Sequence, residues 1–121
     1  MVNTAKEHVS KKFDADLEEI RTRVLQMGGF VEEQIKNAVE ALTDGNEHMI
    51  EQIIDNDHRV NAMEIKIDEL CSQVIVRRQP TAIDLRMIMT VINTITDLER
   101  IGDEATKIAR MAMLIYAADR M

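Results

Sequence analysis

The sequence is poor in the residues that build sheets and tight turns. Its 121 residues include one proline, four glycines, two phenylalanines, one tyrosine and no tryptophan. Sheet proteins of this size usually carry more aromatic and turn-forming residues. Strong helix formers dominate instead. The composition therefore predicts an all-α protein, and the length predicts a single domain.

Cysteine and long apolar runs are also scarce. The single cysteine, Cys71, excludes an internal disulfide, and its place in an apolar helical pattern predicts a buried core thiol. One cysteine also favours an intracellular protein. No stretch approaches the ~18 apolar residues of a membrane span, and the polar segment 1–13 lacks the apolar core of a signal peptide. We therefore expect a cytoplasmic protein that meets a membrane only through its partners.

Positive charge is in the minority. The chain has 15 lysines and arginines against 22 acidic residues, a formal net charge of −7. A nucleic-acid-binding protein needs a basic face that neutralises phosphates, so this balance argues against that class. It suits a protein that attracts cations.

Apolar residues recur at steps of three or four along three long segments. These segments are residues 13–42, 50–74 and 88–112. Such spacing is typical of amphipathic helices. We predict helices over roughly residues 9–43, 47–77 and 82–118. Because the two connections are short, the helices are expected to form an up-down-up three-helix bundle.

Three glycines interrupt the predicted helices: Gly28 and Gly29 in the first and Gly102 in the third. A glycine within a helix weakens it but permits a neighbour to approach closely. We expect helix packing to explain all three, although Gly102 also lies beside two acidic residues. Thr81 is expected to cap the third helix, with Asp84 at the capping-box position.

Two acidic residues lie one helical turn apart on the third helix. Glu99 and Asp103 both fall on one shoulder of its apolar stripe. Like charges at this spacing repel one another. The ordinary interpretation of such a pair is a solvated edge of the bundle. The alternative is that a cation or a basic partner binds there.

A hairpin of the second and third helices would bring more oxygen ligands to the same level. With a pivot near Gln79, Asp57 lies level with Gly102, and Asn61 and Glu64 share its shoulder of the second helix. Whether that shoulder faces the acidic pair depends on the handedness of the bundle. If it does, the converging oxygens repel unless a hard cation such as Mg, Ca, Mn or Fe binds. The candidate metal ligands are therefore Glu99, Asp103, Asp57, Asn61 and Glu64.

Other chemical motifs are missing. The sequence has no Glu-x-x-His, which argues against a di-iron oxidase. It has no glycine-rich phosphate loop and no nucleophile elbow, so we do not expect an enzyme. Near the second connection, Arg78 and Arg86 are candidate contacts for phosphate or an acidic partner. The alternative is that Arg86 pairs with nearby acids and Arg78 is solvated.

Three segments in series resemble the PhoU family of phosphate-signalling regulators. They are MGGFVEEQIKNAVEAL, RRQPTAIDLR and TDLERIGDEATKIAR, and their order and spacing agree over essentially the whole chain. The resemblance implies two tandem three-helix repeats, of which this sequence covers the first. A repeat without its mate exposes an amphipathic face, so we expect a homodimer or a domain-swapped assembly.

The resemblance implies regulation, not catalysis. Proteins of this family are negative regulators of phosphate uptake and of the phosphate-starvation response, similar to adaptors between a phosphate ABC transporter ATPase and a sensor histidine kinase. In some members, though not in all, Glu/Asp-x-x-x-Asp motifs bind multinuclear iron, zinc or other divalent metal clusters. The matching residues here are Glu99 and Asp103. A metal-free helical scaffold that binds partner proteins is the alternative, and a metalloenzyme ranks third.

Overall fold

Three long helices form the computed structural model of the chain, which describes residues 4–119 and, for side chains, residues 11–118. In chain order they are α1 (Thr4–Asp44), α2 (Glu47–Arg78) and α3 (Ala82–Asp119). Every helix packs against both others, and residues 4–119 contain no strand. The fold is thus the predicted all-α, up-down-up three-helix bundle. None of the three helices has the length and hydropathy needed to cross a membrane.

The connection between α1 and α2 is made by Gly45 and Asn46. Gly45 adopts a left-handed φ of 68°, and its N–H donates to the carbonyl oxygen of Ala41 at 2.8 Å. A left-handed glycine after the last helical residue is a common way to end a helix. The Asn46 side chain then accepts from the backbone N–H of Met49 at 3.1 Å and caps α2.

The connection between α2 and α3 ends with Thr81, which caps α3 as predicted, while the Asp84 carboxylate bonds to the hydroxyl of Thr81. The Thr81 hydroxyl accepts from the backbone N–H of Asp84 at 3.3 Å and donates to the Asp84 carboxylate at 2.8 Å. Gln79, at the C-cap of α2, adopts a left-handed φ of 47°. Both turns are therefore closed by local hydrogen bonds that the sequence specifies.

The core has a bulky part and a thin part. Branched and long side chains fill the bulky part, whose buried members are Ile20, Met27, Val31, Val60, Ile67, Cys71, Val74, Ile88 and Ile95. The thin part lies near the first connection, where alanines face isoleucines: Ala38, Ala41, Ile50, Ile53, Ala105, Ala109 and Ala112. The predicted burial of the cysteine thiol is confirmed.

Close helix packing explains one of the three helical glycines and not the other two. A Cβ on Gly102 would lie 3.2 Å from Val60 Cγ1, so close packing of α3 on α2 explains this glycine, as predicted. The same expectation is wrong for Gly28 and Gly29, because no atom lies within 4 Å of a Cβ built on either. Gly29 is exposed and Gly28 only half-buried, so their positions on α1 turn them away from the other helices.

Candidate functional site

The groove between α2 and α3 is lined by acidic side chains from both helices. The carboxylate of Asp57 on α2 accepts a hydrogen bond of 3.0 Å from the Thr106 hydroxyl on α3. Glu64, seven residues further along α2, lies near enough to Glu99 on α3 to be repelled by its charge. The acidic shoulders of the two helices therefore do face the same groove, the condition that the sequence left open.

The pairing along this groove is displaced from the predicted one. Asp57 was expected level with Gly102, but it contacts Thr106, one helical turn further along α3, while Gly102 packs against Val60. Helical Cα–Cβ bonds tilt toward the N-terminus of their own helix. In an antiparallel hairpin, side chains on α2 lean away from the connection and those on α3 lean toward it. Each α2 residue therefore meets an α3 residue further from the connection.

Glu64 and Glu99 form the centre of the groove's negative charge. Partial burial raises the pKa of Glu64, and the charges of Glu99 and Asp68 raise it further. Both glutamates are half-buried, and in the part of the chain that the structure describes neither has a basic partner. Two neighbouring carboxylates without such a partner make a local site that attracts positive groups.

Asp57 and Asp103 are held by other groups. The hydroxyl of Thr106, which is fully buried, lies 3.0 Å from the Asp57 carboxylate and 3.2 Å from the carbonyl oxygen of Gly102. Asp103 lies 3.6 Å from the ammonium group of Lys107, which also contacts Glu104 at 3.2 Å. These contacts engage two of the four predicted carboxylates within the chain itself.

The described side chains do not assemble a metal site. Carboxylate oxygens suit hard cations. Yet among residues 11–118 no three acidic, histidine or cysteine side chains come close enough together to hold one ion. Asn61, the fifth predicted ligand, is exposed. The residues present therefore do not fit a multinuclear cluster in this structure, and no chemistry of such a cluster follows from it.

The two candidate anion-binding arginines behave differently from one another. Arg78 Nε donates to the carboxylate of Asp16 on α1 at 3.1 Å, so this arginine joins two helices at the connection end of the bundle. Arg86 is exposed, and no acid among residues 11–118 pairs with it. The alternative had assigned the ion pair to Arg86 and the solvated state to Arg78; the structure reverses these roles.

Two residues of the groove were not predicted from the sequence. Asp68 contributes to the raised pKa of Glu64, and its place one turn after Glu64 was a usable signal. Thr106 supplies the buried hydroxyl that Asp57 accepts from. It follows the core alanine Ala105 and lies seven residues after Glu99, which places it on the same side of α3, and this spacing was the signal.

Sequence comparison identifies the bundle. The profile of the PhoU domain matches residues 24–112, most of the chain. The chain belongs to the PhoU family. It is 50% identical over 106 residues to the phosphate-specific transport system accessory protein PhoU of Serratia marcescens. It is 48% identical over 106 residues to the protein of the same name from Escherichia coli K12. In each case the match covers 88% of this chain and 44% of the relative.

Solved PhoU structures share the fold. The crystal structure of PhoU from Pseudomonas aeruginosa superimposes with a TM-score of 0.83 at 47% identity, covering 85% of this chain and 49% of that one. The phosphate transport system regulatory protein PhoU from Streptococcus pneumoniae gives a TM-score of 0.79 at 32% identity, covering 84% of this chain and 48% of that one. The chain therefore spans about half the length of these relatives.

Proposed function

We propose that this chain is a regulatory component of a phosphate transport system that restrains phosphate uptake and the phosphate-starvation response. The observation that carries this proposal is the PhoU domain match over residues 24–112, since the relatives that share it are named as accessory proteins of phosphate-specific transport. Their names describe an accessory role and no reaction. The proposed role is accordingly non-catalytic, and the proposed location, which these names do not state, is the cytoplasm.

The proposed mechanism is that of an adaptor. A phosphate ABC transporter ATPase and a membrane sensor histidine kinase are the proposed partners, and the chain meets the membrane only through them. The groove between α2 and α3 is the surface best suited to a basic segment of such a partner, because Glu64 lies within range of the Glu99 charge there and neither has a basic partner among residues 11–118. The overall charge of −7 would add to the attraction of a basic partner.

The regulatory role is tested in a bacterium that lacks its own PhoU protein. The 121-residue chain is expressed in this strain, and a reporter driven by a phosphate-starvation promoter is measured in phosphate-rich medium. A negative regulator lowers the reporter signal toward that of the parent strain. A signal equal to that of the empty vector, with the chain present at the parental PhoU level, would refute the proposed function.

The role of the acidic groove is tested by removing charge without changing shape. The double variant Glu64→Gln/Glu99→Gln is expected to lose most of the repression, since it neutralises these two groove carboxylates. The matched control is Glu40→Gln/Glu69→Gln, which removes the same charge from exposed positions on α1 and α2. Equal repression by both double variants would mean that partners do not bind through this groove.

Metal binding by Glu99 and Asp103 stays a prediction. Elemental analysis of protein purified without chelators tests it, with Glu99→Ala/Asp103→Ala as the variant that should lose any iron, zinc or other bound metal. Metal retained by the double variant would place the site elsewhere.

The second candidate function is a metal-free helical module that binds partner proteins. The absence of a three-ligand set among residues 11–118 favours it. A wild-type chain that represses the reporter while containing no metal would support this second candidate.

A further inference from the structure

A small pocket lies between α1 and α2, at the end of the bundle where α2 connects to α3. Asp16 of α1 lines it together with residues from the last turns of α2, which are Leu70, Gln73, Val74, Arg77 and Arg78. Val74 is buried in the core and Leu70 packs against it, so the polar side chains form the rim. The volume of about 60 Å³ is well above the ~10–15 Å³ that one water molecule needs, so a small polyatomic ion fits.

The rim of this pocket has more hydrogen-bond donors than the chain itself uses. Arg78 donates from Nε to the Asp16 carboxylate at 3.1 Å, and its two terminal nitrogens make no hydrogen bond with residues 11–118. Within the same range the side chains of Arg77 and Gln73 make no hydrogen bond or ion pair. Two guanidinium groups and an amide around one small pocket form a donor set that suits an oxyanion.

Little negative charge opposes an anion in this pocket. Of the residues that line it, only Asp16 is acidic. The acidic neighbours of Asp16 on α1 are engaged elsewhere, since Asp14 and Glu18 line the groove between α1 and α3 and Glu19 lies 3.1 Å from Arg23. Two arginines against one aspartate leave the pocket with a positive charge in a chain whose net charge is −7.

Asp16 adds a chemical requirement on the anion. An ionised carboxylate can only accept hydrogen bonds, and the second oxygen of Asp16 is not used by Arg78. A bound anion is therefore repelled by this oxygen unless the anion carries a proton that it can donate. Hydrogen phosphate keeps one proton at neutral pH, whereas sulfate has none. A phosphorylated side chain, with a second pKa of about 6, has lost most of its proton at pH 7.5.

We propose that this pocket binds inorganic phosphate in the form of hydrogen phosphate. Arg77, the terminal nitrogens of Arg78 and the amide of Gln73 donate to the phosphate oxygens, and the phosphate hydroxyl donates to the second oxygen of Asp16. Arg86, the other arginine predicted to contact phosphate, does not line the pocket. Binding itself does not depend on the proposed regulatory function, which the reporter assay tests separately.

The test is an NMR titration of the isotope-labelled 121-residue chain with potassium phosphate at pH 7.5 and constant ionic strength. Saturating shifts are expected at the signals of Arg77, Arg78 and Asp16, with a dissociation constant on the order of 1 mM. Sulfate, which has the shape of phosphate but no proton, is expected to bind at least about tenfold more weakly. Phosphoserine is expected to bind as weakly as sulfate.

Two variants separate the roles of charge and of the acceptor. Arg77→Gln removes one guanidinium without breaking the ion pair of Arg78 with Asp16, and it is expected to weaken phosphate binding at least about fivefold. Asp16→Asn removes the acceptor, so phosphate and sulfate are expected to bind within about twofold of one another. The matched control is Arg110→Gln, since Arg110 is exposed near the other end of α3 and has no ion pair with residues 11–118. Far-UV circular dichroism establishes that each variant keeps its helices.

Three results would overturn the proposal. The first is the absence of saturating shifts up to about 20 mM phosphate. The second is an affinity of the wild-type chain for sulfate or phosphoserine equal to its affinity for phosphate, because Asp16 would then select nothing. The third is an equal loss of affinity in Arg77→Gln and Arg110→Gln, which would mean that phosphate responds to the overall charge of the chain and not to this pocket.

Discussion

Gly45 occupies a position where both the backbone conformation and the surrounding space disfavour any side chain. It adopts a φ of 68° at the end of α1, a conformation that L side chains rarely adopt. A Cβ at this position would also overlap the aromatic ring of Tyr116. The hydroxyl of Tyr116 lies 2.7 Å from the carbonyl oxygen of Leu42 and 2.8 Å from that of Thr43, so the end of α3 holds the end of α1.

The variant Gly45→Ala should therefore destabilise the bundle through two separate effects. The left-handed conformation costs a residue with a Cβ about 1–2 kcal/mol. Displacement of the Tyr116 ring loses its hydrogen bonding to the α1 carbonyls, worth about 0.5–1.5 kcal/mol. We expect a total loss of roughly 2–3 kcal/mol in the free energy of unfolding. This is a large fraction of the 5–15 kcal/mol that is typical of small domains.

Urea denaturation followed by circular dichroism measures this loss, with every variant at the same protein concentration. A loss of this size lowers the urea midpoint by about 1 M. The matched control is Gly29→Ala, which makes the same chemical change within α1, where no atom lies within 4 Å of the new Cβ. This control is expected to gain about 0.5–1 kcal/mol, because alanine favours the helix over glycine.

The contribution of the ring is isolated in a Tyr116→Ala background. There, Gly45→Ala is expected to cost only the backbone part, about 1–2 kcal/mol. If Gly45→Ala leaves the free energy of unfolding of the wild-type chain unchanged, residue 45 does not adopt the left-handed conformation described above. If it costs the same in both backgrounds, the packing of Tyr116 on the turn contributes nothing.

Three further predictions concern charged and titrating groups. Glu99→Gln should lower the pKa of Glu64 in an NMR titration. The raised pKa of Glu64 in the folded chain makes the free energy of unfolding fall as the pH rises through that pKa. Removing the charge of Glu99 should therefore raise the free energy of unfolding more at pH 7 than at pH 4. Burial, followed by the charge of Asp68, raises the pKa of the Cys71 thiol from 9.0 to about 11. Native protein should therefore resist alkylation at pH 8, and its stability relative to Cys71→Ala should fall between pH 9 and 11. A pH-independent difference would contradict this. A double-mutant cycle of Asp16→Ala and Arg78→Ala should give a coupling of about 0.5–1 kcal/mol, whereas no coupling would show that the half-exposed ion pair at 3.1 Å is not stabilising.

Local signals in the sequence predicted the turns well. The cap formed by Thr81 and Asp84 spans four residues, and its hydrogen bonds join only these two residues. The turn at Gly45 and Asn46 also ends α1 and caps α2 with adjacent residues, but there the distant Tyr116 adds hydrogen bonds to Leu42 and Thr43. The cap at Thr81 is predictable because no distant part of the chain contributes to it.

The acidic groove was predictable only in part. Helical spacing placed Asp57 and Glu64 on one shoulder of α2 and Glu99 on a shoulder of α3. The facing of the two shoulders was left open, because either handedness of the bundle satisfies the same apolar pattern. The α3 residue opposite Asp57 was predicted wrongly: it is Thr106 and not Gly102. Counting residues from the connection ignores the opposite tilt of side chains on antiparallel helices.

The sequence by itself determined the helices, their order and the family, because a step of three or four apolar residues and a few turn residues are properties of the chain alone. Tertiary structure decided which carboxylates meet. It paired Asp57 of α2 with the Thr106 hydroxyl of α3, and it brought Glu64 within range of the charge of Glu99. The physical reason is that contacts between helices depend on handedness, tilt and register. These are settled by how the whole core packs and not by any one segment.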